Sequence, residues 1–128
     1  MDTNPVKILI VEEDPIQRDL IAMVMKRMDC VAITACNAQE AIELFLSHRP
    51  QVALIDIFLS QKNGLDLLKS LKRNPAFSGC RVIIISALGF PEVVNRAIDL
   101  GAEDFLVKPL DSDVLMSRMS TLLSRLNK

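Results

Sequence analysis

Five polar side chains could take part in chemistry together, because each follows or ends an apolar segment of the chain. They are Glu12, Glu13, Asp56, Ser86 and Lys108. Asp56 ends a run, Val-Ala-Leu-Ile, that is typical of a strand buried on both faces of a parallel sheet. In such sheets, ligands and reacting groups collect at the edge formed by the carboxyl ends of the strands. We therefore expect the five side chains to lie at one edge of one sheet.

The residue types at this edge favour a divalent cation and a phosphoryl group. Three carboxylates placed together repel one another, and a single lysine neutralises only part of their charge. Hard oxygen ligands without histidine or cysteine suit Mg²⁺. The ammonium of Lys108, the hydroxyl of Ser86 and a carboxylate nucleophile at Asp56 suit phosphoryl transfer. The combination predicts Mg²⁺-dependent phosphoryl chemistry at Asp56.

Each of these residues alone has a simpler explanation. Glu12 and Glu13 could be a solvated pair that favours the dipole of the following helix. Asp56 could cap its loop and do nothing more. Lys108 could be a surface lysine before a turn, and Ser86 could simply end its strand. Only their occurrence together, each at a strand end, favours the chemical interpretation.

Five apolar segments alternate with five segments that have the apolar spacing of helices. The predicted strands cover residues 6–11, 31–36, 52–56, 81–86 and 104–108. Because the connections are short, the alternation predicts an α/β fold, a doubly wound (βα)5 domain whose five-stranded parallel sheet has helices on both faces. The second strand is less apolar and is expected at an edge. The 128 residues contain no linker or repeat, so we expect a single domain over residues 1–128, with its core at 6–126.

Apolar residues at helical spacing also predict which face of each helix points inward. The expected inward face of the first helix consists of Ile16, Leu20, Val24 and Met28. Those of the third and fifth helices consist of Leu65, Leu68 and Leu71, and of Leu115, Met119, Leu122 and Leu126.

The composition argues against several other classes of function. A net charge of −1 gives no electrostatic reason to bind nucleic acid or an anionic membrane directly. Three cysteines cannot all pair, and they lack the spacing of a metal site, so we expect free thiols in a reducing cytoplasm. Four separated glycines cannot form a dinucleotide-binding or Walker-type phosphate loop. We therefore expect a cytoplasmic protein without a nucleic-acid or membrane interface.

Taken in chain order, the motifs resemble those of a known family. They are Val-Glu-Glu-Asp-Pro at 11–15, Asp56 followed by Gly64, Ser86-Ala87, and the segment 101–109, which begins with Gly-Ala and ends with Lys-Pro. Together they resemble the receiver domain of bacterial two-component response regulators, from residue 6 to residue 126. The resemblance implies a flavodoxin-like or CheY-like sheet with the strand order 2-1-3-4-5.

The resemblance also assigns a phosphorylation site and a metal site. Asp56 would accept a phosphoryl group from a histidine kinase or a phosphotransfer protein. Mg²⁺ would be bound by Asp56, by Glu13 and by the backbone carbonyl of Phe58. Glu12 would act on the ion mainly through a water.

The remaining roles that the resemblance implies concern signalling. Lys108 would bind a phosphoryl oxygen, and Ser86 would turn inward to bond another. Phe105 would be the switch aromatic, which swings inward when Ser86 moves. The fourth helix, fifth strand and fifth helix would present an output surface to a downstream domain or protein, or to a second copy in a homodimer. The product would be a conformation and not a metabolite, so we expect a signalling domain and not an enzyme.

Two residues depart from the family's pattern. Glu13 stands where the family usually has Asp, and its extra methylene displaces the carboxylate from the position that Mg²⁺ requires. Ser60 stands where Pro is common, which predicts a more mobile loop. The Glu13 departure leaves open a second hypothesis, a receiver-like interaction module that is not phosphorylated because its metal site is weak. A third, a flavodoxin-like enzyme or cofactor binder, is disfavoured because the chain has no Trp, Tyr or phosphate loop.

Overall fold

A computed structural model describes residues 4–126, which form five strands alternating with five α-helices. The strands are β1 (Lys7–Val11), β2 (Val31–Ala35), β3 (Val52–Asp56), β4 (Arg81–Ser86) and β5 (Asp104–Val107). The helices are α1 (Pro15–Arg27), α2 (Ala38–His48), α3 (Gly64–Lys72), α4 (Pro91–Asp99) and α5 (Ser112–Leu126), with a 3₁₀-helix at Pro75–Phe77. The predicted strand ends are correct to within one residue. Residues 1–3 and 127–128, the ends of the predicted domain, lie outside the described residues.

The five strands form one parallel sheet in the order β2-β1-β3-β4-β5, which confirms the predicted fold. β3 lies at the centre, and every one of its residues is buried because it has a strand on each side and helices on each face. β2 lies at an edge, as expected, and most of its residues are partly or fully exposed. The chain reverses direction across the sheet between β1 and β3, which creates the switch point where parallel sheets bind ligands.

Side chains of the inner strands alternate between two cores, because successive residues of a strand point to opposite faces. In β1, Leu9 and Val11 belong to the core that is covered by α2, α3 and α4. Ile8 and Ile10 belong to the core that is covered by α1 and α5. The expectation of helices on both faces is therefore confirmed.

The inward faces of α3 and α5 were predicted correctly, whereas that of α1 was predicted only in part: Val24 is buried and Met28 packs against the core, but Ile16 is exposed. The predicted leucines of α3 are buried, and so are Leu115, Met119 and Leu122 of α5. In α1 the buried residues are Ile21, Ala22, Val24 and Met25. Ile16, in the first turn of α1, is 76% exposed. Within residues 4–126, no helix combines the length and the apolar character needed to cross a membrane.

The three cysteines are free thiols, as their number and spacing predicted. Cys30 and Cys80 are buried and Cys36 is half-buried. Burial raises the pKa of the Cys80 thiol to about 12, which makes it an inert packing residue at neutral pH.

Candidate functional site

One ammonium group joins two buried carboxylates at the carboxyl edge of the sheet. Lys108 Nζ donates a hydrogen bond to Glu12 Oε1 over 2.6 Å and another to Asp56 Oδ2. Glu12 is 3% exposed and Asp56 is 4% exposed. Carboxylates this deeply buried are costly unless a positive charge and hydrogen bonds compensate them. We call Glu12, Asp56 and Lys108 the charged cluster.

Strand pairing produces this cluster. β1 and β3 are paired up to the residues that precede Glu12 and Asp56, so the two carboxylates are neighbours. The backbone N–H of Lys108 donates to the carbonyl of Ser86 over 2.8 Å, which extends the pairing of β4 with β5 by one residue. The lysine is thereby brought to the same edge as the two acids, although it is far from them in the sequence.

The pKa values within the cluster reflect burial and charge together. Burial raises the pKa of Glu12, and the nearby Asp56 raises it further, while Lys108 opposes both effects without cancelling them. Burial by itself would lower the pKa of Lys108, but its hydrogen bonds to Asp56 and Glu12 outweigh this and raise it. The lysine therefore remains an ammonium at neutral pH and is held by the two acids.

Asp56 is fixed through both of its carboxylate oxygens. Oδ2 accepts from Lys108, and Oδ1 accepts from the backbone N–H of Phe58 over 2.9 Å. The side chain of Phe58 is 54% exposed beside this buried acid. Asp56 is thus held in one orientation at the end of the central strand, next to the open edge of the sheet.

Ser86 lies at the end of β4 and is bonded through its backbone to Lys108, but its hydroxyl makes no hydrogen bond to the charged cluster. The hydroxyl of Ser86 is fully buried and accepts from the backbone N–H of Leu88 over 3.0 Å. Phe105 is half-buried and packs against the core beneath α4. The structure therefore places Ser86 at the edge of the site and Phe105 on the neighbouring strand β5, and their predicted movement stays a prediction.

Glu13 does not join the charged cluster. Its Oε1 accepts a hydrogen bond from the backbone N–H of Ser60, in the loop after β3. The extra methylene of Glu relative to Asp gives it the length to reach that loop. Of the three carboxylates that were predicted to lie together, Glu12 and Asp56 therefore share Lys108, and Glu13 bonds Ser60 instead.

The donor atoms at this edge are of the chemical type that Mg²⁺ prefers, although their present arrangement is not a complete set of ligands. Glu12, Glu13, Asp56 and the carbonyl of Phe58 are all hard oxygen donors at one edge, the type that Mg²⁺ prefers. Among the described residues, no three His, Cys, Asp or Glu side chains are arranged to hold a metal ion. Oε1 of Glu13 is directed to Ser60, so coordination by Glu13 would require its carboxylate to move.

Sequence reasoning missed one residue that shapes the site and named two others for different reasons. Arg18 donates to the carbonyls of Glu12 and Glu13 over 2.9 and 3.2 Å, which fixes the backbone between β1 and α1. Ser60 was noted only as a departure from a pattern. Gly64 was noted as part of a motif, but a Cβ there would overlap the carbonyl oxygen of Asp56, so close packing requires glycine. No local signal in the sequence identifies the contacts of Arg18.

The fold and the site define a class of protein: a doubly wound α/β domain with a lysine and two buried acids at its switch point. Comparison with known proteins identifies the family within this class. Residues 8–120 match the family model described as the response regulator receiver domain. The chain is 32% identical to the chemotaxis protein CheY of Bacillus subtilis, over 92% of this chain and 98% of that protein. The chain therefore belongs to the response regulator receiver domain family, as its motifs predicted, and is a receiver domain of two-component signalling.

A solved structure and other relatives agree with this assignment. The signal receiver domain of a putative Luxo repressor protein from Vibrio parahaemolyticus superposes with a TM-score of 0.90 at 27% identity, covering 97% of this chain and 94% of that one. A cyclic di-GMP phosphodiesterase of Thermotoga maritima is 32% identical over 91% of this chain. The chain spans only 30% to 52% of the length of that protein and three other curated relatives. What those longer proteins do beyond their receiver regions does not transfer to this chain.

Proposed function

We propose that this receiver domain accepts a phosphoryl group on Asp56 from a histidine kinase or a phosphotransfer protein. The observation that carries the proposal is the charged cluster, in which Asp56 is buried, oriented through both oxygens and bonded to Lys108. A carboxylate oxygen of Asp56 would attack the phosphorus of a phosphohistidine. The new O–P bond would form as the P–N bond breaks, and the leaving imidazole would take up a proton.

Lys108 would exchange partners during this step. Before transfer, its ammonium compensates the charges of Glu12 and Asp56. After transfer, a phosphoryl oxygen on Asp56 would compete for the same donor, because a charged hydrogen bond to phosphate is strong. The lysine would thus stabilise both the free site and the acyl phosphate.

Mg²⁺ is the cofactor that fits these donors. Asp56, the carbonyl of Phe58 and Glu13 would hold it, with Glu12 acting through a water. The ion would supply positive charge against the phosphoryl oxygens. The protein would position the nucleophile, keep Lys108 charged and shield the site by burial.

The signal would reach the output surface through Ser86 and Phe105. The hydroxyl of Ser86 would leave the N–H of Leu88 and bond a phosphoryl oxygen. Phe105, which is only half-buried now, would move inward and alter the surface of α4, β5 and α5. That surface would act on a downstream domain or protein, or on a second copy of the chain, in the cytoplasm, where the three free thiols stay reduced.

One observation favours the alternative, a receiver-like module that binds its partners without phosphorylation. Glu13 is bonded to Ser60, and no three-acid metal set exists among residues 4–126. In this case the cluster around Lys108 would be a structural ion-pair network, and partners would dock on the domain constitutively.

Intact mass spectrometry after incubation with a small acyl phosphate or a histidine kinase separates the two functions. With Mg²⁺ present, we expect the chain to gain the mass of one phosphoryl group, and Asp56→Asn to gain none. Asp99→Asn, at the exposed end of α4, is the matched control and should react as the wild type does. A wild-type chain that gains no mass with either class of donor would favour the unphosphorylated module.

A further inference from the structure

A single side chain ties the loop after β3 to the loop after β1. Glu13 Oε1 accepts from the backbone N–H of Ser60, which joins residues 47 positions apart. In the described part of the chain, the other hydrogen bonds of residues 58–63 stay within the segment 56–70. Among residues 4–126, hydrogen bonding therefore connects this loop to residues outside 56–70 only through Glu13, and the buried side chain of Leu59 is its apolar anchor.

The residues of this connection are also residues that the metal would use. Glu13 is a proposed ligand, and the loop that it holds carries the carbonyl of Phe58, another proposed ligand. In the present arrangement Glu13 faces Ser60, while Glu12 and Asp56 face Lys108. Among residues 4–126, no three acidic side chains are now arranged to hold an ion, so the Glu13 carboxylate must move before it can share one with Asp56.

We propose that Glu13 and Ser60 form a latch that closes the β3–α3 loop in the metal-free domain, and that the latch opens when Glu13 turns to a divalent cation beside Asp56. The inference rests on the proposed function for its choice of Mg²⁺ as the cation. Because the movement that brings Glu13 to the ion carries Oε1 away from Ser60, closing the latch weakens cation binding, and cation binding releases the loop. Metal occupancy is thereby coupled to the position of the loop that flanks the phosphorylation site.

The latch needs an amide hydrogen at position 60 and does not need the serine hydroxyl. A proline at this position has no N–H and cannot donate to Glu13. An alanine keeps the N–H and loses only the hydroxyl. Ser60→Pro and Ser60→Ala are therefore a matched pair that separates the latch from other effects of changing the residue.

Amide hydrogen exchange in the metal-free protein tests the latch directly. The Ser60 amide of the wild type should be protected, and Glu13→Ala should speed its exchange by about tenfold or more, the effect of losing a hydrogen bond to a charged group. Glu13→Gln keeps an acceptor oxygen and should restore most of the protection. The Glu103 amide, which lies outside this loop and donates to the carbonyl of Val82 over 2.7 Å, is the internal control and should not change. Equal exchange of Ser60 in the wild type and in Glu13→Ala would overturn the latch.

Titration with Mg²⁺ tests the competition. In the wild type, Mg²⁺ should speed the exchange of the Ser60 amide as it saturates the site. By calorimetry, Ser60→Pro should bind Mg²⁺ about tenfold more tightly, because the competing hydrogen bond is gone, whereas Ser60→Ala should bind like the wild type.

Two further results separate failure of the latch from failure of the proposed function. Tight Mg²⁺ binding that leaves Ser60 protected, with equal affinity in the proline and alanine variants, would overturn the competition and leave phosphorylation of Asp56 intact. Absence of Mg²⁺ binding in every variant, together with no acyl phosphate, would overturn the proposed function and the competition together. The metal-free exchange measurement would still decide whether the latch itself exists.

Discussion

At the level of single residues, Lys108 supplies the positive charge on which the site depends. Its ammonium is the compensating charge that the structure places on Glu12 and Asp56, both of which are almost fully buried. Removing one partner of a buried ion pair costs far more than the pair contributes, because the remaining charge is left without compensation. The lysine is therefore as necessary to the folded state as it is to the proposed chemistry.

Replacing Lys108 with methionine should lower the free energy of unfolding at neutral pH. The expected loss is about 2–4 kcal/mol, because two buried carboxylates would face each other without a cation. Urea denaturation in the presence of a chelator measures it. Lys69→Met, on the exposed side of α3, is the control and should change stability by no more than about 0.5 kcal/mol. A Lys108→Met protein as stable as the wild type would show that the two carboxylates do not need the ammonium in order to be buried.

Glu12 should make stability depend on pH in a defined direction. Its folded-state pKa is raised above 4.5 by burial and by Asp56, so the folded state binds the proton more tightly than the unfolded state does. As the pH rises from 4.5 through the folded-state pKa, ionisation of Glu12 therefore lowers stability. Glu12→Gln cannot ionise, so its stability relative to the wild type should rise across this interval and level off above it.

Denaturation midpoints measured at a series of pH values test this expectation. Glu43→Gln, on the exposed side of α2, is the control for simple loss of a carboxylate. If the difference between Glu12→Gln and the wild type stayed constant with pH, or fell, the assignment of the raised pKa to Glu12 would be wrong.

The convergence of the charged cluster could be predicted from the sequence, whereas the contacts of Glu13 could not. Asp56 and Lys108 each follow an apolar strand, and strand ends of a parallel sheet meet by geometry. The contact of Glu13 with Ser60 depends instead on the length of one side chain and on the path of a loop 47 residues away. The sequence gives the length of the side chain but not the path of the loop, and the bonds that Arg18 makes to the loop after β1 likewise depend on a backbone path that no local pattern encodes.

At the level of elements, α1 shows where the spacing of apolar residues does not fully identify the buried face of a helix. Apolar residues occupy most of its circumference, from Ile16 to Met25, so more than one stripe fits a helical period. The buried stripe is chosen by the sheet and by α5, against which α1 packs. In α3 and α5 polar residues leave only one apolar stripe, and there the prediction was right.

The turn from β3 into α3 should be intolerant of any side chain at position 64. A Cβ on Gly64 would overlap the carbonyl oxygen of Asp56 and lie 2.8 Å from the Cα of Ile57, and backbone atoms cannot move aside as a side chain can. We expect Gly64→Ala to destabilise the fold by about 1–3 kcal/mol, the usual cost of overpacking. Thermal or urea denaturation would measure the loss.

Gly89→Ala is the matched control for this substitution. Its Cβ would meet Val107 Cγ2 at 2.7 Å, but that side chain is half exposed and can rotate. The control should therefore cost less than about 1 kcal/mol. Equal losses in the two variants would mean that the backbone around Asp56 adapts to a side chain.

For the whole molecule, alternation of strands and helices was enough to predict a doubly wound sheet. The order of the strands was not contained in that alternation, because it depends on the side of β1 to which each crossover turns. The order came from the resemblance to receiver domains and agrees with the structure. The sheet then explains how the site and the output surface are connected: Ser86 ends β4, and β4 is paired with β5, which carries Phe105.

This connection predicts that the site and the output surface can be uncoupled at Ser86. Ser86→Ala removes the hydroxyl that would leave Leu88 for a phosphoryl oxygen, while Asp56 and Lys108 remain in place. With a small acyl phosphate and Mg²⁺, mass spectrometry should show that the variant still forms the acyl phosphate on Asp56.

Hydrogen exchange measures the response of the output surface. In the wild type, phosphorylation should alter hydrogen exchange in α4 and β5, since a ligand shifts a conformational equilibrium only through contacts that differ between its states. In Ser86→Ala that change should shrink several-fold, whereas Ser117→Ala, exposed on α5, should retain it. An unchanged response in Ser86→Ala would show that the signal passes from Asp56 to the output surface by another route.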